Sequence, residues 1–89
     1  MDDKLLEKME EKIEETFSKI DEVKEITNLL GELPSDKKSF AYGIVIGRLY
    51  NSFYYQCRRI LNRNPTESEF NEFIKILKNK QKEFLEKTL

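Results

Sequence analysis

Apolar residues recur along the chain with a helical period, and two breaks divide them into three segments. In the first segment Met9, Ile13, Thr16, Ile20, Val23, Thr27 and Leu30 follow one another at spacings of 4, 3, 4, 3, 4 and 3. That is a heptad seam of the coiled-coil kind, widened by Leu6 and Phe17. In the third segment Phe70, Phe73, Ile74, Leu77, Gln81, Phe84 and Leu85 form one stripe. The breaks are Gly31-Glu32-Leu33-Pro34-Ser35-Asp36 and Asn62-Arg63-Asn64-Pro65. Glycine and proline interrupt helices for steric reasons, and the residue before a proline is driven out of helical geometry.

The pattern predicts helices over about residues 3–30, 36–62 and 66–88. Asp2 and Asp3 suit the positive end of the first helix dipole, and Gly31 suits a left-handed cap at its end. Ser35 or Asp36 serves as N-cap of the central helix. Thr66-Glu67-Ser68-Glu69 is a capping box: Thr66 covers the Glu69 amide while Glu69 reaches back. At 1.5 Å per residue the three helices are roughly 40, 40 and 33 Å long. Similar lengths and short connections predict an all-α, three-helix up-down-up bundle in one domain. The architectural alternative is a helical hairpin that dimerises, with the third helix packed across it.

The central helix has two apolar regions. Tyr42, Ile46, Leu49, Phe53, Cys57 and Ile60 share one side, flanked by Gly43, Gly47, Tyr50, Tyr54 and Leu61. The opposite side is apolar in its first half, with Ala41, Ile44 and Val45, and polar in its second, with Arg48, Ser52, Tyr55, Gln56, Arg59 and Arg63. A helix that is apolar nearly all round is normally buried on all sides. A bundle of 89 residues supplies that cover only in part, so Ile44 and Val45 point to a homodimer. Ser39, Gly43 and Gly47 lie one turn apart. Each helical glycine costs about 0.5–1 kcal/mol relative to alanine, and close approach of another helix would offset that cost. The expected oligomer contact is therefore Ser39, Gly43, Ile44, Val45 and Gly47.

Charge sharpens the reading. The net formal charge is −1, yet the charges are sorted by position. Residues 1–36 hold 12 acids and 5 lysines, residues 37–66 hold six cations and no acid, and residues 67–89 hold five of each. All four arginines and all four tyrosines fall in the acid-free window. Arg48, Ser52, Tyr55, Arg59 and Arg63 follow steps of 4, 3, 4 and 4, with Arg58 to one side. Two uses fit this stripe. Arginine forks pair with carboxylates, here those of the first helix or of a second copy. Arginine and tyrosine together also suit nucleic acid, through charge and base stacking. The acidic balance, with pI ≈ 5.6, weighs against a dedicated nucleic-acid binder.

Several classes are disfavoured. There is no histidine, which removes Ser-His-Asp and Cys-His catalysis and leaves no Cys/His zinc set. Cys57 stands alone and reads as a small buried apolar residue. The E-x-x-E spacings of the first helix resemble those with which all-α, Mg-dependent nucleotide pyrophosphohydrolases bind metal. Here the acids lie opposite the apolar seam, whereas bundle metal sites project inward, so a solvated acidic face is expected. Arg63-Asn64-Pro65-Thr66-Glu67-Ser68-Glu69 resembles, over seven residues, the lead-in to helices of sigma-factor-type DNA-binding regions. No turn divides residues 67–89, so a helix-turn-helix does not follow. No apolar run is long enough to span a membrane, and no signal or transit peptide is read at the start. The expectation is a cytoplasmic, non-enzymatic interaction or oligomerisation module with no cofactor or metal. Nucleic-acid binding by the arginine and tyrosine stripe is the alternative.

Overall fold

The structure, a computed structural model, describes residues 1–30 and 36–87. These residues are helical with no strand among them, in the order α1 (Asp3–Ser18), α2 (Ile20–Leu30), α3 (Lys37–Leu61) and α4 (Glu67–Lys87). Three helices are expected from the pattern, and four are present among the described residues. The difference is a break at Lys19, whose φ of −107° and ψ of 19° leave helical geometry. Local side chains explain it without glycine or proline. Thr16 Oγ1 donates to the Lys12 carbonyl at 2.8 Å, and Ser18 Oγ donates to the Glu15 carbonyl at 2.7 Å. Hydroxyls that bond back to the preceding turn compete with the helical ladder and bend it. The ladder tightens there, with Lys19 N–H donating to the Thr16 carbonyl and Glu22 N–H to the Lys19 carbonyl. Thr16, Val23 and Thr27 of the expected seam are buried on both sides of the break, but Leu30, its last expected member, is 63% exposed.

The caps form largely as the sequence dictates. Asp2 accepts the Leu5 amide at 3.0 Å. Asp36 caps α3 by accepting the amides of Lys38 and Ser39 and the Ser39 hydroxyl. Asn62 ends α3 in the left-handed region at φ 59°, a conformation asparagine tolerates. The Thr66–Glu69 capping box is present in both directions. The caps expected at Gly31 and Ser35 lie outside the described residues.

Helix directions follow from which residues meet. Glu15 meets Arg48, while Arg59 and Ile60 share a groove with Lys4 and Glu11, so α1 and α3 run in opposite directions. Phe53 stacks on Phe73 with centroids 4.4 Å apart, while Tyr42 lies beside Leu77 and Gln81, so α3 and α4 are also opposed. Ile13 lies beside Ile76 and Phe17 beside Phe84, so α1 and α4 run the same way. The 25 residues of α3 rise about 37 Å and span the long dimension of 39 Å. Leu5, Met9, Ile13, Val23, Val45, Leu49, Phe53, Phe73 and Phe84 form the centre of the core.

One expectation changes here. α1 and α2 both pack on α3. Ala41 and Val45 join Ile13 and Val23 in the core and are almost fully buried. The second apolar side of the central helix is therefore covered by the chain's own bent amino-terminal arm. Val45 has no surface to offer a partner, and Ile44 is half-buried against the same core.

Candidate functional site on the surface of α3

The acid-free window becomes α3 and the turn that follows it, and its arginines go to different places. Arg48 Nη2 lies 3.8 Å from Glu15 of α1. Glu15 is held below the usual carboxylate range, first by a hydrogen bond from Lys12 and then by the charges of Lys12, Lys19 and Arg48. Arg58 donates to Asn64 Oδ1 and lies 5.8 Å from the centroid of the Tyr54 ring. Arg59 is exposed and lines a shallow groove with Lys4, Glu7, Lys8 and Glu11 of α1. Ser52 is half-buried, and Tyr55 is 57% exposed.

Arg63 makes the tightest of these contacts. Its Nη1 and Nη2 donate to Glu69 Oε1 and Oε2 at 2.7 and 3.2 Å, a bidentate pair. Glu69 also accepts the Thr66 amide and hydroxyl. The Arg63 hydrogen bonds, followed by that of the Thr66 amide, hold the Glu69 carboxyl down from 4.5 to about 2. This arginine locks the α3–α4 turn to the α4 capping box. The stripe expected from spacing alone is thus divided between α1, the inter-helix turn and solvent.

Gln56 departs from its place on the polar half of the helix. It is only 3% exposed, and its buried Oε1 meets no hydrogen-bond donor among the described residues. Periodicity could not reveal this, because it carries no information on how closely a neighbouring element approaches that turn. The Cys57 thiol is also buried, which pushes its pKa up and keeps it protonated and unreactive.

The other side of α3 is open. A Cβ placed on Gly43 or Gly47 meets nothing within 4 Å. Beside the glycines runs a shallow groove of about 310 Å³ between α3 and α4, lined by Tyr42, Ile46, Ile74, Leu77, Lys78 and Gln81. Further along the same i, i+4 row of α3, Tyr50, Tyr54 and Arg58 line with Asn51 a second pocket of about 290 Å³. The Tyr50 ring meets Tyr54 and Phe70 edge-on at 5.3 and 6.4 Å. Ile74 is 43% exposed. The apolar pattern puts the glycines on a contact surface but Tyr42 and Ile46 in the core. They are half-buried because α4 covers only one flank of α3. Ser39 is exposed at the amino-terminal end, its hydroxyl held by Asp36.

The acids of α1 form a solvated face. Glu7, Glu10, Glu11 and Glu14 are exposed, and Lys8–Glu11, Lys12–Glu15 and Glu15–Lys19 are local ion pairs. Among the described residues no group of three or more acid or cysteine side chains could hold a metal ion. Among them also, no helix is long and apolar enough to cross a membrane. No family model, curated protein or solved structure matches this chain.

Proposed function

We propose that the chain is a small non-enzymatic module of the cytoplasm that works by protein–protein contact, with a second copy of itself as its partner. In this reading α1 and α2 act together as one bent arm of a three-arm, up-down-up bundle, and two bundles form a homodimer. The carrying observation is the open flank of α3, where Gly43, Gly47 and Tyr50 lie exposed beside an apolar groove. Two exposed glycines in mid-helix cost the lone chain about 1–2 kcal/mol, and a helix seated close against them offsets it. The arginines support the same reading, because Arg48 and Arg63 are engaged by the chain's own carboxylates. Sedimentation equilibrium between 1 and 100 µM (concentrations set by the roughly micromolar affinities of modest interfaces) tests it. The expected mass is twice the 10.7 kDa of the monomer. Monomer alone across that range overturns the proposal.

A second reading, binding of single-stranded nucleic acid, is favoured by one observation. Tyr55 is exposed one turn before the exposed Arg59, and Arg58 is also exposed. Two arginines neutralise about two phosphates, so log K for a single strand should fall against log salt with a slope of roughly −1.4. Absence of binding at low salt removes this reading.

A further inference from the structure

We infer that the groove between α3 and α4 receives the outward face of α2 from a second copy of the chain, and that the two copies do this reciprocally. The inference rests on the self-association proposed above and names the two surfaces that meet.

The donor surface is an oddity of α2. Val23 and Thr27 face the core, but Ile26 and Leu29 face outward and are 39% and 70% exposed. At 100° per residue Glu22, Glu25, Ile26 and Leu29 fall within an arc of about 100°. Two apolar side chains thus share one face with two exposed carboxylates. Among the described residues, Ile26 and Leu29 are not part of the core cluster and stay exposed at the end of α2.

The receiving surface is its complement in chemistry and in size. Its two depressions, which follow one another along the Tyr42, Ile46, Tyr50, Tyr54, Arg58 row of α3, contain no acidic residue, and their charges are Lys78 and Arg58. Their walls are apolar or aromatic, from Tyr42, Ile46, Tyr50 and Ile74. Gly43 and Gly47 lower the α3 rim, so another backbone can approach without meeting a Cβ. The 11 residues of α2 are about 16 Å long, and the groove from Tyr42 to Tyr50 rises about 12 Å along α3. An acidic, apolar helix face fits a basic, apolar groove in a way that two grooves or two α2 faces do not, since each of those pairs like charges.

Two reciprocal seats close the assembly with twofold symmetry and leave no open end to propagate.

Sedimentation equilibrium on the full chain and on two variants tests the arrangement. Leu29→Lys spoils the donor face, and Ile74→Glu spoils the groove. Both residues are exposed, and far-UV circular dichroism verifies that each variant folds. Each alone should weaken dimerisation at least tenfold. Mixed in equal amounts, they should form a heterodimer tighter than either homodimer, because one seat joins an intact α2 to an intact groove. Weakening by both variants with recovery on mixing is the result expected. A dimer that neither variant weakens, or a mixture no tighter than its components, overturns the inference and leaves self-association through another surface. A wild-type chain that is monomeric throughout overturns the self-association as well.

Discussion

Glu69 offers the sharpest test of how the α3–α4 turn is held. Its carboxylate accepts two hydrogen bonds from Arg63 and two from Thr66, and its side chain is 10% exposed. Those contacts exist for the charged form and lower its pKa from 4.5 to about 2. A shift of that size corresponds to at most about 3 kcal/mol of native-state stability. Arg63 is about half exposed, so screening reduces the contribution to about 1.5–2.5 kcal/mol. Glu69→Gln keeps an acceptor for Thr66 but loses the charge, and should cost about 1–2 kcal/mol at pH 7. Glu69→Ala also removes the capping-box acceptor and should cost about 2–3 kcal/mol. The pH dependence has a definite sign. A carboxylate with a lowered folded pKa binds fewer protons when folded, so its stabilisation is present above its unfolded pKa. It is lost as pH falls from about 4.5 towards 2. Urea unfolding of wild type and Glu69→Gln, followed by circular dichroism at intervals between pH 7 and pH 2, measures this. The gap between the two proteins should close over that acid range. A gap below about 0.5 kcal/mol at pH 7, or one that does not change with pH, refutes the assignment.

Three further outcomes are expected. Gln56→Leu removes a buried oxygen that meets no donor among the described residues and should raise stability by about 1–2 kcal/mol, read as a higher urea midpoint at unchanged slope. Gly43→Ala and Gly47→Ala should each stabilise the monomer by about 0.5–1 kcal/mol, since the new methyl meets nothing within 4 Å. The same pair should weaken self-association, so stability at low concentration and dimer affinity move in opposite directions. Phe53→Ala deletes one ring of the 4.4 Å stack with Phe73 and should cost about 3–5 kcal/mol, enough to leave a chain of this size largely unfolded by circular dichroism.

Much of the local structure is legible in the residues themselves. The Thr66–Glu69 box, the Asp36 cap and the outer limits of α3 and α4 depend on contacts within a few residues, so spacing and side-chain chemistry suffice to place them. The helical character of every described segment follows from a period of about 3.6 in the apolar positions. The break at Lys19 is local too, but its cause is a choice of rotamer by Thr16 and Ser18, and a hydroxyl on a helix bonds backward or not according to its surroundings.

The fate of the arginines and the two sides of α3 belong to tertiary structure. A helical wheel assigns angles but does not say which angles a neighbour covers. Ala41, Val45 and Gln56 are buried, so residues read as an outer apolar side or a polar face of the central helix belong to the interior. α4 covers only one flank, so Tyr42 and Ile46 become the wall of a groove. Arg48 and Arg63, one stripe in the sequence, meet carboxylates on α1 and on α4 respectively. The residues alone make the described segments helical, set the limits of α3 and α4 and sort the charge along the chain. Tertiary structure alone decided which cations are spent on internal pairs and which apolar face stays open, because burial depends on the distance between helices far apart in sequence.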